Sequence, residues 1–247
     1  NHNIEKLSES DLVIFTVKAW QVEEATTPLL QHLDPDTILM FLHNGMGAVD
    51  QIATQIDAHP VVLATTTQAA FKPDRNNVSH TGIGQTQLGT FNLKGQQCTF
   101  LVDVLEHALP TVSWNPEIKT ALWTKLAINC AINPLTGLEQ ITNGELVDQR
   151  FSEVLSSIIR EITQVMLAEG ITCSFDELET SVNKVIQATA KNNSSMKQDM
   201  FYQRKTEIDF ITGHLIKTAL KHQIDVPVNQ KLFDQVKERE NSWNQQD

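Results

Sequence analysis

Leu12-Val-Ile-Phe-Thr-Val17 and Thr37-Ile-Leu-Met-Phe-Leu42, with the stretch between them, decide the architecture of the first half of the chain. Both runs are short, apolar and rich in branched and aromatic side chains, as expected of strands buried on both faces. Residues 19–32 carry apolar side chains at Trp20, Val22, Ala25, Leu29 and Leu30, which reads as a helix, and Asp34-Pro35-Asp36 marks the turn after it. After His43-Asn-Gly-Met-Gly47 a second helical stretch runs to about Ile56, and Val61-Val-Leu-Ala-Thr65 supplies the next strand. Strand and helix alternating in this way predict a parallel, doubly wound sheet with helices on its faces.

Working outward, residues 66–91 change texture: Thr, Gln and Gly punctuate them, and antiparallel strands at the edge of the sheet are expected. Residues 99–109 read as a helix and Pro110-Thr-Val-Ser-Trp114 as a last short strand. Beyond Pro116 the alternation gives way to long helical periods over 151–169, 175–191, 208–222 and 229–240, with Gly170 placed as a helix terminator and Pro227 in a connecting loop. The expected division is therefore residues 1–116, α/β, and residues 117–247, all helical. Gly82-Ile-Gly84 and Gly45-Met-Gly47 are incomplete as phosphate-binding glycine loops, because G-x-G-x-x-G needs a third glycine and a following helix. A buried first strand without that loop leads to the expectation that the first β-α-β unit of the sheet is missing from this chain.

With 247 residues, 40% hydrophobic and 20% charged, the composition is that of a folded globular protein. The formal net charge of -11 and a pI near 5.1 argue against nucleic acid and anionic membrane as partners and leave small molecules as the expected ligands. Cys98, Cys130 and Cys173 show no C-x-x-C spacing, so neither a disulfide framework nor a zinc site is expected, and a reducing cytoplasm fits. The opening residues are polar and acidic, without an apolar leader, and no run approaches transmembrane length.

The chemistry concentrates in Leu122-Trp-Thr-Lys-Leu-Ala-Ile-Asn-Cys-Ala-Ile-Asn-Pro-Leu135. Lys125, Asn129 and Asn133 fall at i, i+4 and i+8 and drift only about 80° around a helix, so they form one polar stripe on an otherwise apolar rod. Such groups are costly to bury unless something polar faces them. Lys18 directly follows the first expected strand and reads either as a nucleotide contact or as a solvated lysine. Asn44 follows the second and reads either as a ligand contact or as a turn residue. Ser195, in Asn192-Asn-Ser-Ser-Met196, is either a helix cap or a carboxylate contact. Glu207, ahead of an apolar helix, is a first-turn acid or a ligand contact, and Asn143-Gly-Glu145 reads first as a turn.

Taken together, Val17-Lys-Ala-Trp20, His43-Asn-Gly-Met-Gly47, the lysine-asparagine helix, Asn143-Gly-Glu145, Asn193-Ser-Ser-Met196 and Thr206-Glu-Ile-Asp209 resemble the ketopantoate reductase family over nearly the whole chain. The resemblance implies a partial Rossmann-like NADP-binding domain followed by a helical substrate domain, with NADPH reducing ketopantoate to pantoate on the route to pantothenate and coenzyme A. It implies Lys125 as the general acid and Asn129, Asn133, Asn143, Ser195, Glu207 and Asn44 as substrate contacts. Lys18, Asn44 and Glu207 would lie on the cofactor side. A cytoplasmic monomer or homodimer without a metal is expected. The family's glycine fingerprint, and the basic residue that recognises the adenosine 2′-phosphate, have no counterpart in the sequence. The competing readings are another two-domain hydroxyacid or polyol-phosphate dehydrogenase, and a nonenzymatic remnant that binds a pantoate-like ligand.

Ketone reduction suits these residue types. Hydride addition builds negative charge on the carbonyl oxygen, which a nearby ammonium stabilises and then protonates. Burial lowers a lysine's pKa and a neighbouring carboxylate raises it; the sequence leaves open which effect is larger at Lys125.

Overall fold

The computed structural model describes residues 4–72, 74 and 76–243; residues 1–3 of the polar opening read above lie outside them. The chain divides between Leu122 and Trp123 into two compact units.

In the first unit, β1 (Leu12–Phe15), β2 (Ile38–Leu42) and β3 (Val61–Thr66) run parallel, joined by α1 (Val22–Leu30) and by the short helices α2 (Ala48–Gln51) and α3 (Ala53–Ile56). Then β4 (Ala69–Phe71) and β5 (Ser79–Gly82) pair only with each other as an antiparallel ribbon. The main sheet resumes with β6 (Thr86–Thr90), antiparallel to β3, and closes through α4 (Leu101–Glu106) with β7 (Val112–Trp114), parallel to β6. Its strand order is β1-β2-β3-β6-β7.

The sheet is mixed, as the expected antiparallel strands require. Two expectations need correction. The antiparallel strand β6 is interior, not at the edge: Thr86 and Leu88 are fully buried, and Leu88 joins Ile38, Met40, Val62 and Ala64 in a core closed by Leu101 and Leu105. Nor is β1 covered on both faces: Ile14 is 43% exposed. Its Phe15 points the other way, as period-two geometry requires, and stacks on Phe41 with ring centroids 4.8 Å apart.

The second unit takes most of α5 (Ile118–Glu139), then α6 (Ser152–Ala168), α7 (Phe175–Ala188), α8 (Ser195–Phe201), α9 (Thr212–Lys221) and α10 (Pro227–Trp243). Apolar residues at helical spacing build its core: Ile158, Ile162, Val165 and Met166 on α6, Leu178, Val182 and Ile186 on α7. Gly170 follows α6 with φ 78°, the left-handed terminator expected of it. Pro227 differs from expectation: it opens α10 instead of lying in a loop, a position where its missing N–H costs nothing. The first turn of α10 is capped from another helix. Glu161, buried on α6, accepts from the Val228 and Asn229 backbone N–H groups at 2.9 and 3.0 Å and from Asn229 Nδ2 at 2.8 Å.

Candidate active site

The carboxyl ends of parallel strands are where open α/β sheets take their ligands, and two of the expected residues lie there in the first unit. Lys18 stands three residues beyond β1, half-buried, opening a 3-10 turn (Ala19–Gln21); its N–H donates to Gln21 Oε1 at 3.2 Å. Asn44 is the second residue past β2, and its carbonyl lies 2.9 Å from His43 Nδ1. Gly45 and Gly47 follow with φ of 77° and 89°, and Gly47 caps α2. These angles require glycine, and the bare turn lets a ligand approach the backbone closely. A cation and an amide beside such a turn form a donor set suited to the phosphate, ribose or amide groups of a dinucleotide. Gly82 and Gly84, by contrast, sit at the end of β5 and in the loop after it, with no helix following, so they form no phosphate loop.

The polar stripe of the second unit is real and lies along one helix. On α5, Lys125 and Asn129 are half-buried and Asn133 is buried, while Trp123, Leu126, Ala127, Cys130 and Ala131 are packed away almost completely. Burial is the larger influence on the Lys125 ammonium: it lowers the pKa to about 8, and the negative charge of Glu207 acts in the opposite direction. The sequence could not rank those two effects, and the structure does. Glu207 is itself only 3% exposed, at the turn before a 3-10 helix (Ile208–Phe210), where its carbonyl accepts from the Phe210 and Ile211 N–H groups, both at 3.0 Å. A lysine that holds its proton loosely, facing a buried carboxylate, has the make-up of an acid and base pair.

One turn beyond Asn133 the stripe continues in Thr136, a residue the sequence reading passed over. Its hydroxyl lies 2.7 Å from Ser194 Oγ, both groups being buried. Ser194, not Ser195, caps α8 by accepting from the Lys197 N–H at 3.0 Å, which leaves Ser195 exposed on the first turn. The signal for Thr136 was its i+3 spacing from Asn133.

Asn143 is buried and serves the same loop. Its N–H donates to the Asn192 carbonyl at 3.0 Å, the Gly144 N–H donates to the Ala190 carbonyl at 3.0 Å, and Asn143 Nδ2 donates to Thr189 Oγ1 at 2.9 Å. Gly144 is required by proximity: a Cβ there would lie 2.8 Å from the Ala190 carbonyl oxygen and 2.6 Å from its Cβ. The Asn-Gly-Glu turn thus clamps the loop that leads into Ser194 and Ser195. Of the expected residues in the helical unit, Lys125, Asn129 and Asn133 share one face of α5, Glu207 is close enough for its charge to act on Lys125, and Asn143 is bonded to the loop that precedes Ser194 and Ser195; Lys18 and Asn44 follow adjacent strands of the sheet unit.

Comparison with known proteins identifies the family. Residues 1–92 match the model described as ketopantoate reductase PanE/ApbA, and residues 117–240 match the model of its C-terminal region. A 2-dehydropantoate 2-reductase from Vibrio cholerae is 53% identical over 243 residues, covering 98% of this chain and 82% of that relative. The chain belongs to the ketopantoate reductase family. Among solved structures, a PanE/ApbA family ketopantoate reductase from Ralstonia eutropha JMP134 superposes with a TM-score of 0.87 at 24% identity, over 97% of this chain and 79% of that one. D-mandelate dehydrogenase with NADH and anilino(oxo)acetate gives a TM-score of 0.88 at 23% identity, over 95% and 77% of the two chains. At these identities the likeness shows the ketopantoate reductase fold to be shared with an enzyme named for another hydroxy acid.

Proposed function

We propose that this chain reduces ketopantoate to pantoate, with NADPH as hydride donor and Lys125 as general acid, on the route to pantothenate and coenzyme A. Family membership supports the reaction, and the neighbours solved with NADH support a nicotinamide dinucleotide as cofactor. The observation that carries the reading is Lys125: a half-buried amine with a pKa brought down to about 8, on a helix face shared with two amides and facing the Glu207 carboxylate.

When bound, the cofactor supplies the hydride. The chain's own residues do the rest. Negative charge growing on the ketone oxygen draws on the Lys125 ammonium, which hydrogen-bonds the oxygen and then gives up its proton to form the alcohol. The lowered pKa eases that transfer, while Glu207 keeps enough positive charge on the amine for it to be present near neutral pH. Asn129 and Asn133 orient the hydroxyl and carboxylate of the substrate without adding charge, joined by Ser195, Asn143 and Asn44, and Glu207 accepts from a ligand hydroxyl. Lys18, Asn44 and Glu207 are the assigned cofactor contacts.

Lys125→Ala should lower turnover by roughly 100- to 10,000-fold, the usual worth of general acid help, whereas Ser195→Ala should chiefly raise KM. NADPH oxidation on addition of ketopantoate measures both. Near-normal turnover in Lys125→Ala would remove the acid from the mechanism, and indifference to ketopantoate across a panel of 2-keto acids would remove the substrate.

A further inference from the structure

We propose that Glu240 and Lys237 of α10, acting through Thr206 and Asp209, are positioning residues that set the Glu207 carboxylate against its ligand. This rests on the reading of Glu207 as a substrate contact.

Glu240 Oε1 accepts from both the Thr206 N–H at 2.8 Å and the Thr206 hydroxyl at 2.7 Å. The same hydroxyl oxygen accepts from the Ile208 N–H at 3.2 Å. Lys237 Nζ bridges from Glu240 Oε2 at 3.2 Å to Asp209 Oδ2 at 2.9 Å. Residues 206, 208 and 209 are thus all held by this network, directly or through Thr206, and the Glu207 carbonyl is bonded by the turn that follows. The backbone on either side of Glu207 is held from α10.

Thr206 is 1% exposed and Glu240 7%, so the centre of the clamp is buried, while Lys237 and Asp209 at its margin are partly exposed. A buried carboxylate bonded to Glu207's turn is an expensive way to pack a helix, since apolar residues of similar size stabilise a core as well or better. What a buried, fully bonded carboxylate adds is a fixed geometry for the segment it grips. That segment is the one carrying Glu207. None of this is visible from local sequence, because Thr206 and Glu240 are 34 residues apart.

The test uses the complete protein with NADPH and ketopantoate. Thr206→Val removes one of the two bonds to Glu240 while keeping the side chain's shape, and should raise KM roughly tenfold with a smaller change in kcat. Thr206→Ser, which keeps the hydroxyl, should restore it. Glu207→Ala should also raise KM, and in that background Thr206→Val should add less than about twofold, because two residues acting through one group do not multiply their effects. A clamp serving only stability would lower the thermal midpoint yet leave KM alone, or would multiply with Glu207→Ala; either result overturns the proposal. If Thr206→Val fails to fold, Glu240→Gln, which keeps an oxygen for Thr206 but loses the charge facing Lys237, is read by the same KM and kcat split. A raised KM in Glu207→Ala beside a normal KM in the clamp variants rejects the clamp alone. An unchanged KM in Glu207→Ala itself rejects Glu207 as a substrate contact, and the clamp with it.

Discussion

The two units hold their polar groups in different ways. In the sheet unit Lys18 and Asn44 are placed by backbone: each follows a parallel strand, and glycines in left-handed geometry shape the turn after Asn44. In the helical unit Lys125, Asn129 and Asn133 are spaced by the turns of α5, while the segments around that helix are tied by side chains bonded to side chains, Thr136 to Ser194, Asn143 to Thr189 and Thr206 to Glu240. A backbone-built site depends on a few conformationally special residues and is insensitive to most others. A network-built site is buried, so losing one member strands its partners, and unpaired buried donors are costly.

The sharpest way to break this contrast is to cut the helical network away from the candidate site. Glu161→Ala removes three hydrogen bonds at the start of α10 and should cost about 3 kcal/mol of stability, read as a lower urea midpoint. A loss below about 1 kcal/mol would mean that water replaces the carboxylate and that the network is not what holds this unit. A smaller effect is expected in the sheet unit. Gly47→Ala forces a Cβ into a backbone with φ 89° and should cost about 1 kcal/mol, with weakened cofactor binding by calorimetric titration as the accompanying sign. Unchanged affinity would show that the turn's geometry does not serve the ligand.

The mildest test moves a titration and not a fold. As the proposed general acid, Lys125 would act in its protonated form, so activity should fall as pH rises through about 8. The Glu207 charge raises that pKa; Glu207→Gln removes the charge, and the falling limb of the kcat/KM profile should shift to lower pH. A limb that stays in place, or moves upward, would show that Glu207 is not the charge Lys125 feels.

Much of this was legible in the chain, for physical reasons that also explain the gaps. Ile38–Leu42 and Val61–Thr66 were plain because strands covered on both faces must be apolar throughout. Thr86–Thr90 was misplaced at the edge because its threonines and glycine look solvated, yet Thr86 is buried, its hydroxyl 2.9 Å from that of Thr66, and a Cβ on Gly89 would run into Ile118. The stripe of Lys125, Asn129 and Asn133 was readable because a helix converts spacing into a shared face. Ser194 was not separable from Ser195, since either serine can cap a helix and only the bond to Thr136 distinguishes them. The balance of burial against charge at Lys125 needed Glu207 in three dimensions, a distance that no local pattern encodes.

Because Lys125, Asn129, Asn133 and Thr136 share the single unbroken helix α5, their mutual spacing is a property of the backbone and not of loops that evolution can lengthen. Inserting one residue among them would swing everything downstream by about 100° and advance it by about 1.5 Å, turning Asn133 off the face that carries Lys125. Substitutions along this helix change the chemistry of the stripe, whereas an insertion or deletion abolishes it, so variation within such a framework has to arise by exchange of side chains at fixed length.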